Sequence, residues 1–274
     1  MAPAAILSAA DGGAMLVYGG GNRHRKFAFI HVQKTGGTSV GELLRAAVPD
    51  ITHYAPRHLG ARHAKKKLDG WDGYYRFAFV RNPWDRLVSW YCMIDRPRRA
   101  LAEGTPLPPS TERWLLRHPL PRHVLEDAPT FEEFVTRCVG EFRVRGAIYS
   151  FTRNQLDYLA TKDGKLLVDF VGKFERLHED LAAVLGEIGL DVPADGMPHS
   201  NRSRHGHYSA FYTPQTEGIV RERFARDIEY FGYEFEAEHS ALHLRDDRGP
   251  EDRGRRERRL ASIRSNAISG LGGR

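Results

Sequence analysis

The sequence is short of the features that would assign it quickly, and each shortage excludes something. Its two cysteines, Cys92 and Cys138, in 274 residues stand too far apart to read as a metal or redox pair. A chain of this length with two thiols needs no disulfide frame. No apolar run approaches the roughly 20 residues that a membrane-spanning helix requires. The first 25 residues carry no basic start and no sustained apolar core, so a secretory signal is not expected and the expected compartment is the cytoplasm, with attachment to a membrane surface left open. There is no internal repeat. No Gly-Lys-Ser/Thr follows a glycine-rich loop, as the common nucleoside-triphosphate loop demands. Charge of one sign is also scarce: 41 basic against 35 acidic residues leave +6. The segment 245–274 supplies most of it, nine arginines against five acids, 9 − 5 = +4. The remainder is close to neutral, which gives a nucleic-acid footprint little support. The tail itself reads as a solvated end or as a patch for RNA or anionic membrane.

What is present suits one α/β domain. An apolar share of 41% with 11% aromatics is enough for a core, and the length fits a single generous domain better than two. The expected layout is a flexible segment over 1–25, a domain over 26–236, and a basic, disordered tail over 237–274. "KFAFIHV", 26–32, is rich in aromatic and β-branched residues and runs into "QKTGGTSVGELLRAAV", where Val40, Leu43, Leu44 and Ala47 recur at helical spacing. This is a strand, a glycine loop and a helix. "YYRFAFV", 74–80, reads as a second buried strand that ends at "RNP", where Pro83 opens another helix with Trp84, Leu87, Val88, Tyr91 and Cys92 as its apolar stripe. Asp85, Arg86 and Ser89 fall on the opposite, polar side. Residues 96–122 hold six prolines and six arginines and read as a surface excursion with at most a short helix near 111–117. Further on, the pattern predicts a helix at 130–139, a strand pair across Asp163-Gly164, a helix at 176–189, a polar loop at 198–208, and a helix from Thr213-Pro214 to about Phe231.

Two constellations carry chemistry. A strand feeding a glycine loop into a helix N-terminus makes an anion site, because exposed N–H groups and the helix dipole point at whatever lies before the first turn. Here Lys34, Thr35, Gly36, Gly37, Thr38 and Ser39 add an ammonium and hydroxyls. Taken alone, Gly36-Gly37 is also compatible with an ordinary tight turn. The second constellation is Arg81 at a strand end and Ser89 two turns into the next helix, a guanidinium and a hydroxyl able to grip a second phosphate.

Together, "FAFIHVQKTGGTS" and "FAFVRNPWDRLVSWY" resemble the paired signatures of sulfotransferases that use 3′-phosphoadenosine 5′-phosphosulfate (PAPS), most closely the carbohydrate-type branch and its bacterial relatives. The resemblance extends over about 26–236. It implies a P-loop-like three-layer α/β domain with a mainly parallel central sheet flanked by helices. It also implies that the first loop holds the 5′-phosphosulfate, that Arg81 and Ser89 hold the 3′-phosphate, and that Lys34 lies beside the bridging oxygen, where it stabilises charge as the S–O bond breaks. The lysine then precedes the glycines because the cofactor has one 5′-phosphate and a terminal sulfuryl group. A late His-x-Asn-x-Ser segment, here His199, Asn201 and Ser203, resembles a loop covering the nucleotide, although a simple exposed loop fits it as well. No metal is implied, since His199, His205 and His207 have no accompanying cysteine or carboxylate cluster.

The base for an acceptor hydroxyl stays open between His58 and His63. The resemblance, through His-x-x-Ala at His58 to Ala61, favours His58. If 58–68 is a helix, the two imidazoles lie about 140° apart at roughly 100° per residue, with Arg62, Lys65 and Lys66 on the His58 side. The expected acceptor is a hydroxyl of a glycan or glycolipid. The competing readings are a small-molecule kinase, which would need a lysine after the glycines and a Mg²⁺-binding aspartate at a strand end, and a nucleotide- or RNA-binding protein without catalysis.

Overall fold

A computed structural model gives the structure of the protein and describes residues 15–21, 24–54, 59–144, 147–192 and 206–236. In chain order the strands are β1 (Met15–Tyr18), β2 (Phe27–Ile30), β3 (Thr52–Tyr54), β4 (Tyr75–Val80), β5 (Glu141–Val144), β6 (Ala147–Ser150) and β7 (Phe170–Lys173). The helices are α1 (Gly37–Ala47), α2 (Ala61–Lys67), α3 (Pro83–Ala102), α4 (Pro109–Arg117), α5 (Pro119–Asp127), α6 (Phe131–Arg137), α7 (Leu156–Leu159), α8 (Leu177–Ile188), α9 (Pro214–Arg223) and α10 (Ala225–Phe231). These elements belong to one compact unit ending at Glu234.

The central sheet has the order β3-β1-β2-β4-β7. β2, β4 and β7 pair in parallel, while β1 is antiparallel to both β2 and β3. Four strands therefore run one way and β1 alone runs against them, a mainly parallel sheet as the sequence implied. Alternation along the two central strands separates two cores. Phe27, Phe29, Phe77 and Phe79 face one side, where Val40, Leu43 and Leu44 of α1 and Leu181, Val184, Leu185 and Ile188 of α8 cover them. Ala28, Ile30, Ala78 and Val80 face the other side, against Ala61 and Ala64 of α2 and Tyr158 and Leu159 of α7. A strand buried on both faces reads as an unbroken apolar run, which is why "FAFI" and "FAFV" stand out in the sequence. The parallel β2 and β4 carry their C-terminal ends to the same edge, where both predicted constellations begin.

Several expectations need correction. The stretch 1–25 contributes a fully buried strand, β1, whose residues are 1–8% exposed. Its short apolar run, "AMLVY" in the sequence, is bounded by glycines and too brief to stand out. The excursion 96–122 is mostly helical. α3 continues through Pro97 to Ala102, held by buried Ile94 and by ion pairs from Arg98 and Arg99 to Asp95. α4 and α5 then each begin with a proline in the first turn, where its missing N–H costs nothing. In the expected strand pair at Asp163-Gly164, the turn is present, with Gly164 at φ 87°. Its arms, however, meet through one isolated bridge, Ala160 to Leu166, and the segment before it forms α7. The following β7 joins β4 in parallel. The final helix breaks at Phe224 into α9 and α10, and the hairpin β5-β6 was not anticipated.

Candidate active site

Between β2 and α1 the chain turns through Gln33-Lys34-Thr35-Gly36. Gly36 is the N-cap of α1 at φ 81°, and no side chain caps that end or places an acid in its first turn. A Cβ on Gly36 would approach Leu177 to 2.9 Å, and one on Gly37 would lie 2.1 Å from the His31 ring. Glycine is thus required twice, once for its left-handed backbone and once for clearance. Thr35 is buried and its hydroxyl donates to the Val32 carbonyl at 2.9 Å, which tightens the turn. Thr38 and Ser39 stand half-buried in the first turn of α1. Lys34 is unusual: it adopts φ 67°, a left-handed conformation held by no other non-glycine residue among those described.

The Lys34 side chain runs to α3. Its Nζ lies 3.3 Å from Met93 Sδ and 5.8 Å from the centre of the Trp90 ring. A thioether is a weak acceptor, and no carboxylate pairs with this ammonium among the described residues. Burial, then the Arg81 charge, with Arg96 adding to both and Cys92 opposing them, brings its pKa down to about 8. The ammonium therefore lies in an enclosed, cationic setting that would be relieved by an anion.

Arg81 leaves the end of β4 and is 4% exposed. Its Nε donates to Asp85 at 2.7 Å and its Nη1 to the Lys34 carbonyl at 3.4 Å, while the guanidinium lies 4.1 Å from the Phe174 ring centre. Nη2 has no hydrogen bond to a described residue. Ser89 is 5% exposed and lies one helical turn beyond Asp85, with Met93 one turn further, so Asp85, Ser89 and Met93 share the face of α3 that runs past Arg81 toward Lys34. The polar side of α3 is itself largely buried. Arg86 is 1% exposed, donating from Nε to the Gln33 carbonyl at 2.9 Å and from Nη1 to the Arg153 carbonyl at 3.0 Å. The reason is that α3 is enclosed on several sides, with the glycine loop on one and the segment before α7 on another.

That segment is a hub that sequence reasoning missed. The Gln155 side chain accepts from the Arg81 backbone N–H at 2.9 Å and donates to the Arg81 carbonyl at 2.7 Å. Buried Asp227 of α10 accepts from the N–H groups of Gln155 and Leu156 at 2.7 and 2.9 Å. Glu175 accepts from the Asn82 N–H at 2.6 Å. The Asn82 side chain in turn caps α3 by accepting from the Trp84 N–H. The turn that aims Arg81 is thus gripped through its backbone by residues more than 70 positions away. No local pattern announces such a grip.

Of the residues predicted from sequence, Lys34, Thr35, Gly36, Gly37, Thr38, Ser39, Arg81 and Ser89 lie where the ends of β2 and β4 meet α1 and α3. His58, His199, Asn201 and Ser203 fall outside the described residues. The helix expected over 58–68 begins at Ala61, because Gly60 is extended at φ −75°, ψ 165° and a Cβ there would meet the Tyr158 backbone at 2.8 Å. The helical argument separating His58 from His63 therefore does not hold. His63 itself points to solvent, and α2 packs through Ala61 and Ala64. His207 is occupied by a 2.8 Å bond with Ser209. Among the described residues no group of three or more His, Cys, Asp or Glu could hold a metal ion, and no helix is long and apolar enough to cross a membrane.

The chain belongs to the sulfotransferase family, whose model matches residues 22–234 and so takes in the glycine loop, the Arg81 turn and the Gln155 hub. An uncharacterized protein of Archaeoglobus fulgidus is 28% identical over 130 residues, covering 47% of this chain and 78% of that protein. No solved structure matches. Membership identifies the chain as a transferase of sulfuryl groups.

Proposed function

We propose that the protein moves the sulfuryl group of PAPS to a hydroxyl of a carbohydrate or glycolipid. One observation carries this reading: the enclosed Lys34 ammonium, with Arg81 and Arg96 near it and no carboxylate of its own among the described residues, at the uncapped N-terminus of α1. A donor with a 5′-phosphosulfate supplies the anion that this arrangement favours.

In this reading the N–H groups of the first α1 turn, with the Thr38 and Ser39 hydroxyls, take the 5′-phosphate and its sulfuryl oxygens, and Thr35 holds the turn closed. Gly36 and Gly37 allow the backbone approach. Lys34 donates to the oxygen bridging phosphorus and sulfur, and its interaction strengthens as negative charge collects there, so it acts mainly in the transition state. Arg81, through Nη2, and Ser89 hold the 3′-phosphate. The His199, Asn201 and Ser203 segment closes over the nucleotide. His58 takes the proton of the acceptor hydroxyl, whose oxygen attacks sulfur in line as the bond from sulfur to the bridging oxygen breaks. The products are a sulfate ester and adenosine 3′,5′-bisphosphate. A metal ion has no part in these steps.

Transfer of ³⁵S from labelled PAPS to a panel of glycans, glycolipids and phenols, with a chelator present, tests the reading. Label is expected on a sugar hydroxyl at a rate the chelator leaves unchanged. Inhibition by the chelator that Mg²⁺ reverses, with phosphate rather than sulfate transferred, would overturn it.

A further inference from the structure

Residues with left-handed backbone other than glycine persist only where their surroundings hold them, because the Cβ crowds the backbone in that conformation. Lys34, at φ 67°, is such a residue, and its side chain is the one the proposed chemistry depends on. Two carbonyls frame it. The Gln33 carbonyl, just before it, accepts from Arg86 Nε at 2.9 Å, and its own carbonyl accepts from Arg81 Nη1 at 3.4 Å. Arg86 is additionally tied through Nη1 to the Arg153 carbonyl at 3.0 Å, and the Gln33 side chain donates to the Ile148 carbonyl at 2.8 Å. Arg86 carries no salt bridge among the described residues. Its buried charge is instead committed to two backbone carbonyls, leaving Nη2 without a partner. A charge buried at such cost for two carbonyl bonds points to a demand on geometry rather than stability.

We propose that Arg86 is a positioning residue for Lys34. By holding the Gln33 carbonyl against the segment before α7, it keeps the Lys34 backbone in the left-handed region and so keeps the ammonium between Trp90 and Met93, at the place where the bridging oxygen of the donor would lie. Arg86 does not touch substrate. The inference rests on the proposed role of Lys34, but its first readout does not require turnover.

That readout is the ionisation of Lys34, followed by the pH dependence of its trace acetylation in Arg86→Lys, which keeps the charge and loses the planar fork. The groups facing the ammonium are Arg81 from the end of β4, and Trp90, Cys92, Met93 and Arg96 from α3. All are unchanged in the variant. Loosening the loop lets water reach the ammonium, so its midpoint is expected to move upward from about 8 by one pH unit or more. The turnover number with PAPS is expected to fall at least tenfold, with affinity for adenosine 3′,5′-bisphosphate changed less than threefold. Arg86→Gln, which removes the buried charge and keeps an amide NH2 as donor, is expected to show the same split between turnover and affinity. An unmoved Lys34 midpoint in a folded Arg86→Lys protein would overturn the proposal, as would loss of the cooperative melting transition in both variants, which would make Arg86 a residue of the fold. A shifted midpoint in a protein that does not transfer sulfate would keep the positioning role and remove the sulfuryl-transfer reading.

Discussion

At the residue scale, Lys34 decides most. In the proposed reaction its ammonium must be protonated to stabilise a developing negative charge, so the rate is expected to fall on the alkaline side with a midpoint near 8, the value to which burial and then Arg81 bring it. An unperturbed lysine would stay charged to about 10.4. Linkage has the opposite sense. Because the folded pKa lies below the unfolded one, the unfolded chain binds the extra proton above pH 8 and stability rises with pH across that window. Lys34→Ala is expected to lower turnover about a hundredfold or more while changing the affinity for adenosine 3′,5′-bisphosphate far less, since charge on the bridging oxygen grows only as the bond breaks. Single-turnover rates set against calorimetric affinities check this, and a loss confined to affinity would make Lys34 a binding residue. His58→Ala is expected to remove the acidic limb of the same profile, and a profile that keeps this limb would move the base elsewhere. Lys34, Arg81 and Ser89 were legible because their chemistry is packed into short local signatures. Arg86, Gln155 and Asp227 were not, because their partners lie 53, 74 and 72 positions away.

At the scale of elements, the unit of function is β2, its glycine loop and α1, set beside β4 and α3. Adding a methyl at Gly37 places it 2.1 Å from the His31 ring. That ring stacks on Phe29 of β2 at 5.9 Å and cannot retreat into the core freely. Gly37→Ala is therefore expected to destabilise the protein by about 1–3 kcal/mol and to weaken nucleotide binding, read by chemical denaturation and by calorimetry. An unchanged unfolding midpoint would show that His31 can move aside. β2, α1, β4 and the first turns of α3 were legible because strands covered on both faces read as continuous apolar runs and the helices follow a clear period. The helices at 96–122 were obscured by prolines that open helices rather than break them. The β5-β6 hairpin was obscured because each of its strands has four residues, so that the polar-apolar alternation of Glu141–Val144 is too brief to stand out.

At the scale of the whole molecule, a sheet has been completed by a strand that the family match, beginning at residue 22, does not include. β1 lies between β3 and β2, and Leu16 and Val17 each join one of the two cores. Deleting residues 1–25 is therefore expected to abolish the cooperative melting transition. Ending the chain at Glu236 is expected to shift the melting temperature by no more than a few degrees, because the compact unit holding the sheet closes at Glu234. A deletion of 1–25 that melts like the full chain would make β1 dispensable. The α/β class and the sheet's direction were legible from two strands and their following helices, whereas β1 and β3 were not, since both are short and the burial of β1 comes from distant neighbours. The central claim is that the cationic loop is built for a nucleotide with phosphates at both ends of the ribose. Calorimetric titration of the full chain with adenosine 3′,5′-bisphosphate and with AMP, both in the presence of chelator, tests it most directly. The account predicts that the bisphosphate binds about ten- to a hundredfold more tightly, the worth of one charge-assisted phosphate contact at about 1.5–3 kcal/mol. Equal affinity for the two nucleotides would contradict it.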